Sequence, residues 1–84
     1  MNWSVHWEPN AIDTLAAIWT NSVNRNAVTA ADKAIDRLLA TDPWAHSSPV
    51  SEGLYAIQIH PLRVLFEVIP ATWMVNVVSV GELP

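Results

Sequence analysis

The spacing of apolar residues divides the first half of the chain into a strand and two helices. Apolar and polar residues alternate over Trp3–Trp7, which is typical of a short strand. Apolar residues then recur every three or four positions, which predicts helices over Pro9–Ser22 and Ala27–Ala40. The short polar link between them favours a helical hairpin. The residues expected to face the core are Ile12, Leu15, Ala16, Trp19 and Val23 in the first helix and Val28, Ala31, Ile35, Leu38 and Leu39 in the second.

A stretch rich in proline and serine, residues 43–52, follows the second helix and is predicted to be a loop. The remaining residues are apolar and β-branched, with two short interruptions, His60-Pro61 and Pro70-Ala71. This pattern predicts three consecutive antiparallel strands joined by two-residue turns. The three predicted strands are Leu54–Ile59, Leu62–Ile69 and Thr72–Val80.

The three-stranded meander has one apolar and one mixed face. Two-residue turns place Gln58 opposite Arg63 and Leu65 opposite Asn76, and facing residues share a side of the sheet. A one-residue slip would bury Arg63 and Glu67, so the apolar face packs on the helices. The mixed face is too apolar to remain fully exposed to solvent, which predicts that a partner or a second copy of the chain covers it. The predicted core face holds Tyr55, Ile57, Ile59, Leu62, Val64, Phe66, Val68, Trp73, Val75 and Val77, and the mixed face holds Leu54, Ala56, Gln58, Arg63, Leu65, Glu67, Met74, Asn76, Val78 and Val80.

These elements predict an α+β fold in a single domain, residues 1–84. A helical hairpin would pack on one face of a four-stranded, mostly antiparallel sheet. The composition agrees, because 51% of the residues are hydrophobic and only 14% are charged, as in a globular domain. The start of the chain has no basic and apolar leader, and no apolar run reaches the ~20 residues of a membrane span, so we expect a cytoplasmic protein without membrane contact.

Composition also limits the chemistry. The absence of cysteine excludes a disulfide scaffold, a thiolate metal site and a cysteine nucleophile. Only two glycines are present, so no glycine-rich loop exists to hold a phosphate-bearing cofactor, and the three histidines lack metal-ligand spacing. We therefore expect no cofactor and no metal. Four basic residues against eight acidic ones give a net charge of −4, the opposite of what binding through phosphates requires.

Four segments, in this order and spacing, resemble the RelE/ParE superfamily of type II toxin–antitoxin toxins. Trp7–Ala11 looks like that family's first strand running into its first helix. Ile35–Leu39, followed by Asp42-Pro43, is similar to its second helix and the stop after it. Leu62–Val68 looks like its central strand, and Val77–Gly81 like its last strand. The resemblance covers nearly the whole chain.

The resemblance implies a toxin of a plasmid-stabilisation-like module that either cleaves ribosome-bound mRNA or inhibits DNA gyrase, and that an antitoxin protein neutralises. Arg63 matches the central-strand arginine that binds the scissile phosphate in RelE-like nucleases, and a guanidinium suits that role because it forms a bidentate fork. Other catalytic positions differ. Ala56 and Gln58 stand where the family has lysines. Beyond the last strand the family has a basic residue and then a Tyr or His, whereas this sequence ends in Gly81-Glu82-Leu83-Pro84, with an acid at the first of those two positions. The general acid or base is therefore missing.

The sequence leaves enzymatic activity open. The alternative to an active toxin is a catalytically inactive module of the same fold that binds a partner, or itself as a homodimer, through the exposed sheet face. RNA, the ribosome or gyrase would be partners only of the active form.

Each candidate residue has a structural as well as a functional interpretation. Arg63 either contacts phosphate or pairs with Glu67, two positions along the same face. His6 is a candidate general base or an exposed strand histidine. Trp44 either anchors a partner or closes the end of the helical hairpin. The predicted partner-binding residues are Leu65, Glu67, Met74, Asn76 and Trp44.

Overall fold

The computed structural model, which describes residues 2–84, contains two helices and a five-stranded sheet. The α+β class predicted from the sequence is confirmed. In chain order the elements are β1 (Ser4–Trp7), α1 (Pro9–Asn21), α2 (Arg25–Thr41), β2 (Ser47–Ser51), β3 (Leu54–Ile59), β4 (Leu62–Ile69), a 3-10 helix (Pro70–Thr72) and β5 (Met74–Glu82). The strand order across the sheet is β1-β5-β4-β3-β2. Strand β1 runs parallel to β5, and the other pairs are antiparallel.

The second helix forms as its sequence predicts. The Asn24 side chain accepts a hydrogen bond from the backbone N–H of Ala27 at 3.1 Å, which satisfies one of the free donors at the helix start. One stripe of apolar side chains lies against the sheet and is buried. These residues are Val28, Ala31, Ile35 and Leu39.

The hairpin of β3 and β4 has the predicted register, with Gln58 opposite Arg63. Its core-facing side chains Ile57, Val64 and Phe66 are buried with those of α2. The helices therefore cover one face of the sheet and leave the Arg63 face open.

The predicted loop over residues 43–52 is wrong, because it contains the edge strand β2. Ser48 pairs antiparallel with Ala56, and Ser47 pairs with Ile57. The strand has no hydrophobic alternation since it lies exposed at the sheet edge, so only its backbone bonds to β3 define it. Gly53, with φ of +76°, allows the turn into β3. The sheet consequently has five strands rather than four.

The predicted turn between β4 and β5 is also wrong. Ile69 faces Met74 instead of Thr72, because the 3-10 helix and Trp73 occupy the turn. Trp73 adopts a left-handed conformation and is 46% exposed, so it does not lie on the core face. The pairing of β4 with the start of β5 is therefore shifted by two residues from the predicted register. Because side chains alternate between the two faces of a sheet, an even shift leaves those at the start of β5 on their predicted faces.

A bulge farther along β5 places the last residues of the strand on the sheet faces opposite to those predicted. Phe66 faces Val77 but Leu65 faces Ser79, so Val78 is the extra residue. Val80, predicted on the open face, is instead buried opposite Val64.

The predicted inward face of α1 is largely wrong. Ile12, Trp19 and Val23 are 51%, 43% and 107% exposed. The helix packs on β5, with Ala11 buried and Leu15 partly buried against the core. α1 has apolar residues on two sides. One side packs against the core, and the other side faces the space between α1 and α2.

Neither helix of the described chain has the length and apolar character needed to cross a membrane.

Candidate functional site

A row of side chains crosses the open face of the sheet at Arg63. Arg63 faces Gln58 on β3 and Gly81 on β5. His46 immediately precedes Ser47, the partner of Ile57, so the same register places His46 beside Gln58. Together with the start of β2, these residues surround a pocket of ≈ 360 Å³ lined by His46, Ser48, Pro49, Val50, Ala56, Gln58 and Arg63.

The acidic group suggested as an ion-pair partner for Arg63 is bonded elsewhere. Glu67 Oε1 accepts a hydrogen bond from Asn76 Nδ2 at 3.2 Å, and the same amide donates to Glu8 Oε1 at 2.9 Å. Among residues 2–84 the Arg63 guanidinium makes no hydrogen bond, and it lines the pocket. Its five donors are available to an anion.

The other cations are far from this pocket. Arg25 lies over the Trp19 ring at 4.7 Å and donates to the carbonyls of Trp19 and Thr20, at the end of α1. Lys33 and Arg37 are exposed on α2, across the sheet from the open face. Within the described chain, Arg63 is therefore the one Lys or Arg of the pocket, which suits one phosphate rather than a length of nucleic acid.

His6 is not brought to Arg63. It is exposed on edge strand β1 and faces Asn76, which in turn faces Glu67. Glu67 and Arg63 are four residues apart on β4, or about 13 Å. A role for His6 as general base at Arg63 would need a reacting group that spans this distance.

The predicted partner-binding residues are spread over the sheet. Leu65 faces Ala56 beside the pocket, whereas Met74 faces Ser4 at the start of β5. Trp44 packs edge-on against the buried Trp3, with ring centroids 5.2 Å apart, and remains 44% exposed. Trp44 thus covers Trp3 and presents an apolar edge to solvent.

A second concave surface, which we name the helix groove, lies between α1 and α2. It has a volume of ≈ 490 Å³, and an adjoining depression of ≈ 380 Å³ extends it to β1. Its residues are Ile12, Leu15, Ala16, Trp19, Thr20, Val28, Thr29 and Asp32. Such an apolar surface at the junction of two helices suits the apolar face of a partner.

Two carboxylates lie along the helix groove. Partial burial raises the pKa of Asp32 above its ordinary value, and the neighbouring charge of Asp36 raises it further. Asp36 accepts a hydrogen bond from Trp7 Nε1 at 2.8 Å. A cation from a partner would offset the desolvation of the Asp32 carboxylate, so the groove favours an apolar surface with a basic residue.

Sequence reasoning missed both His46 and the helix groove. His46 was assigned to a loop, since nothing in a Pro- and Ser-rich stretch signals an edge strand. The sequence does contain a sign of the groove, because two neighbouring series of positions in α1 are apolar. The first series is Ala11, Leu15 and Ile18, and the second is Ile12, Ala16 and Trp19. One helix face cannot hold both series.

Within residues 2–84 no three His, Cys, Asp or Glu side chains lie together in a way that could hold a metal ion.

The fold of the chain is similar to that of RelE toxins of known structure. A RelE–RelB complex, RelBE2 of Mycobacterium tuberculosis, matches at a TM-score of 0.81 and 14% identity, over 98% of this chain and 92% of that one. Free Escherichia coli RelE, as a mutant, matches at 0.72 and 17% identity, over 98% and 84%. The YoeB–YefM complex of Staphylococcus aureus matches at 0.56 and 17% identity, over the whole of both chains.

At these identities the structures establish the RelE-like toxin fold, as the sequence resemblance predicted. By sequence, no family model and no curated protein matches the chain.

Proposed function

We propose that this chain is the toxin of a type II toxin–antitoxin pair and that it cleaves RNA at the pocket around Arg63. The observation that supports this most directly is the position of Arg63. Its guanidinium lines a concave polar pocket on the sheet face that both helices leave open. A planar fork of donors at such a place binds two oxygens of a phosphodiester.

The charge of the chain indicates how RNA reaches this pocket. With a net charge of −4 and one Lys or Arg in the described pocket, the protein gains little affinity from phosphate contacts. The RNA must therefore be held by another particle, which favours mRNA bound to a ribosome over free RNA.

The helix groove is the proposed docking site for the antitoxin. The RelBE2 structure, which this chain resembles in fold, is a complex of toxin and antitoxin. On this chain the groove offers exposed apolar side chains, Ile12 and Trp19, next to the carboxylate of Asp32. An amphipathic helix with a basic residue matches that surface.

Induced expression in bacteria, followed by mapping of RNA 5′ ends, tests the function. The expected result is growth arrest accompanied by new 5′ ends within translated mRNAs. Arrest without new ends, together with a loss of DNA supercoiling, would replace RNA cleavage by gyrase inhibition. Absence of arrest at normal soluble levels would contradict an active toxin.

The second candidate is the inactive interaction module, which the helix groove favours. The groove is the larger concave surface, and it is apolar, whereas the open face lacks lysines at Ala56 and Gln58. Such a module would bind the same kind of partner and leave growth and RNA unchanged.

Ile12→Ala should weaken antitoxin binding about tenfold, because it removes an exposed anchor of the helix groove. Binding of the antitoxin, sought in the reading frame adjoining the gene, would be measured by calorimetry. Val23→Ala is the matched control, since Val23 is fully exposed between the helices and outside the groove. Equal affinities for both variants would rule out docking at Ile12.

A further inference from the structure

We infer that His46 is the proton-transfer residue of the Arg63 pocket, acting on the phosphodiester that Arg63 holds. This inference rests on the proposed function and names a residue that supplies the missing acid–base chemistry. It starts from the edge strand β2, which brings the N-terminal end of that strand to the open face of the sheet.

The register of three strands fixes the arrangement. Gln58 faces Arg63 directly, and His46 precedes the residue that pairs with Ile57, so it lies on the far side of Gln58. Neighbouring strands are about 4.8 Å apart, which places the backbones of His46 and Arg63 about 10 Å from each other. A long arginine and an imidazole extending into one pocket can both reach a phosphate between them.

The other groups of the pocket are compatible with this role. Gln58 and Ser48 supply neutral donors beside the phosphate site. Gly81, on the other side of Arg63, has open space where a Cβ would stand, so no side chain covers the guanidinium from β5. His46 itself is exposed to solvent.

Every bond and proton of the proposed RNA cleavage is accounted for by the RNA, His46 and water. The neutral imidazole of His46 accepts the proton of the ribose 2′-OH as the 2′ oxygen attacks phosphorus. The bond from phosphorus to the 5′ oxygen then breaks, a 2′,3′-cyclic phosphate forms, and the leaving 5′ oxygen takes a proton from water. The hydroxide produced recovers the proton of the imidazolium, which restores His46.

Kinetics on ribosome-bound mRNA test the role of His46. We expect His46→Gln to lower the single-turnover cleavage rate about 100-fold or more at saturating ribosome, with ribosome affinity unchanged. His60→Gln is the matched control, because His60 is an equally exposed histidine in the turn between β3 and β4. Cleavage by His46→Gln within threefold of the wild-type rate would overturn the inference.

A second measurement decides the inference independently of activity. The purified full chain would be titrated with a 2′-O-methylated dinucleoside monophosphate, which cannot be cleaved, while NMR follows the His46 imidazole and the Arg63 Nε–H. Joint movement of both signals supports the site. Movement of Arg63 alone, or of neither, overturns it. If the wild-type chain cleaves no RNA, the proposed function fails, whereas this titration still shows whether the two residues share a phosphodiester.

Discussion

Arg63→Ala should abolish growth arrest when it and the wild-type chain are expressed at equal soluble levels. The substitution removes the only Lys or Arg of the described pocket, and with it the fork of donors that we propose binds the phosphate oxygens. Removal of one such preorganised donor typically lowers a catalytic rate by about 10²–10³-fold. The direct measurement is the cleavage rate on ribosome-bound mRNA, with growth as the cellular readout.

Two further variants make this result specific. Lys33→Ala removes the same charge from the exposed face of α2, so it controls for the effect of net charge. Arg63→Lys retains the charge but loses the planar fork, and we expect it to recover only part of the rate. Arrest of equal strength by Arg63→Ala and the wild-type chain would remove Arg63 from the mechanism.

Phe66→Ala should cost about 3–5 kcal/mol of unfolding free energy. The ring is fully buried at the centre of the sheet and stacks on Tyr55, with ring centroids 5.9 Å apart. Native proteins have a total stability of only about 5–15 kcal/mol, so this variant should lose a large share of its stability and unfold at a clearly lower urea concentration. Urea denaturation followed by tryptophan fluorescence gives the measurement.

Ile69→Ala is the control for Phe66→Ala, because Ile69 is on the same strand but 38% exposed. We expect it to lose less, about 1–2 kcal/mol, since more than a third of its surface is already in contact with water. Similar urea midpoints for the two variants would mean that the apolar face of β4 is not the centre of the core.

The parts of the fold that could be predicted from the sequence are those whose residue pattern is compatible with only one register or one buried face. The alternation in β3 and β4 allows a single register, because a slip would bury Arg63. The stripe on α2 is likewise narrow enough to have one buried face. Where a pattern was compatible with two buried faces, the prediction failed. The apolar residues of α1 extend over two faces, and only the packing on β5 decides which is buried.

The remaining failures involve backbone features without a side-chain pattern. An exposed edge strand is defined by its hydrogen bonds to β3, so the residue pattern over 43–52 predicts a loop and gives no sign that His46 lies beside the sheet. Neither the bulge at Val78 nor the longer turn at Trp73 has a side-chain pattern that would predict it. The sequence therefore predicted the open sheet face on which Arg63 lies, but not that His46 lines the same pocket.

The parallel pairing of β1 with β5 has a consequence for synthesis of the protein. Within residues 2–84, β1 (residues 4–7) is hydrogen-bonded to no strand except β5, at residues 74–77, and α1 packs on that same strand. A nascent chain that has not yet extended beyond β5 therefore cannot close its sheet, and pairing across such a separation is slow. The sheet can therefore close only once β5 has been synthesised, so the first strand and the first helix remain without their packing partner through most of the synthesis of these residues.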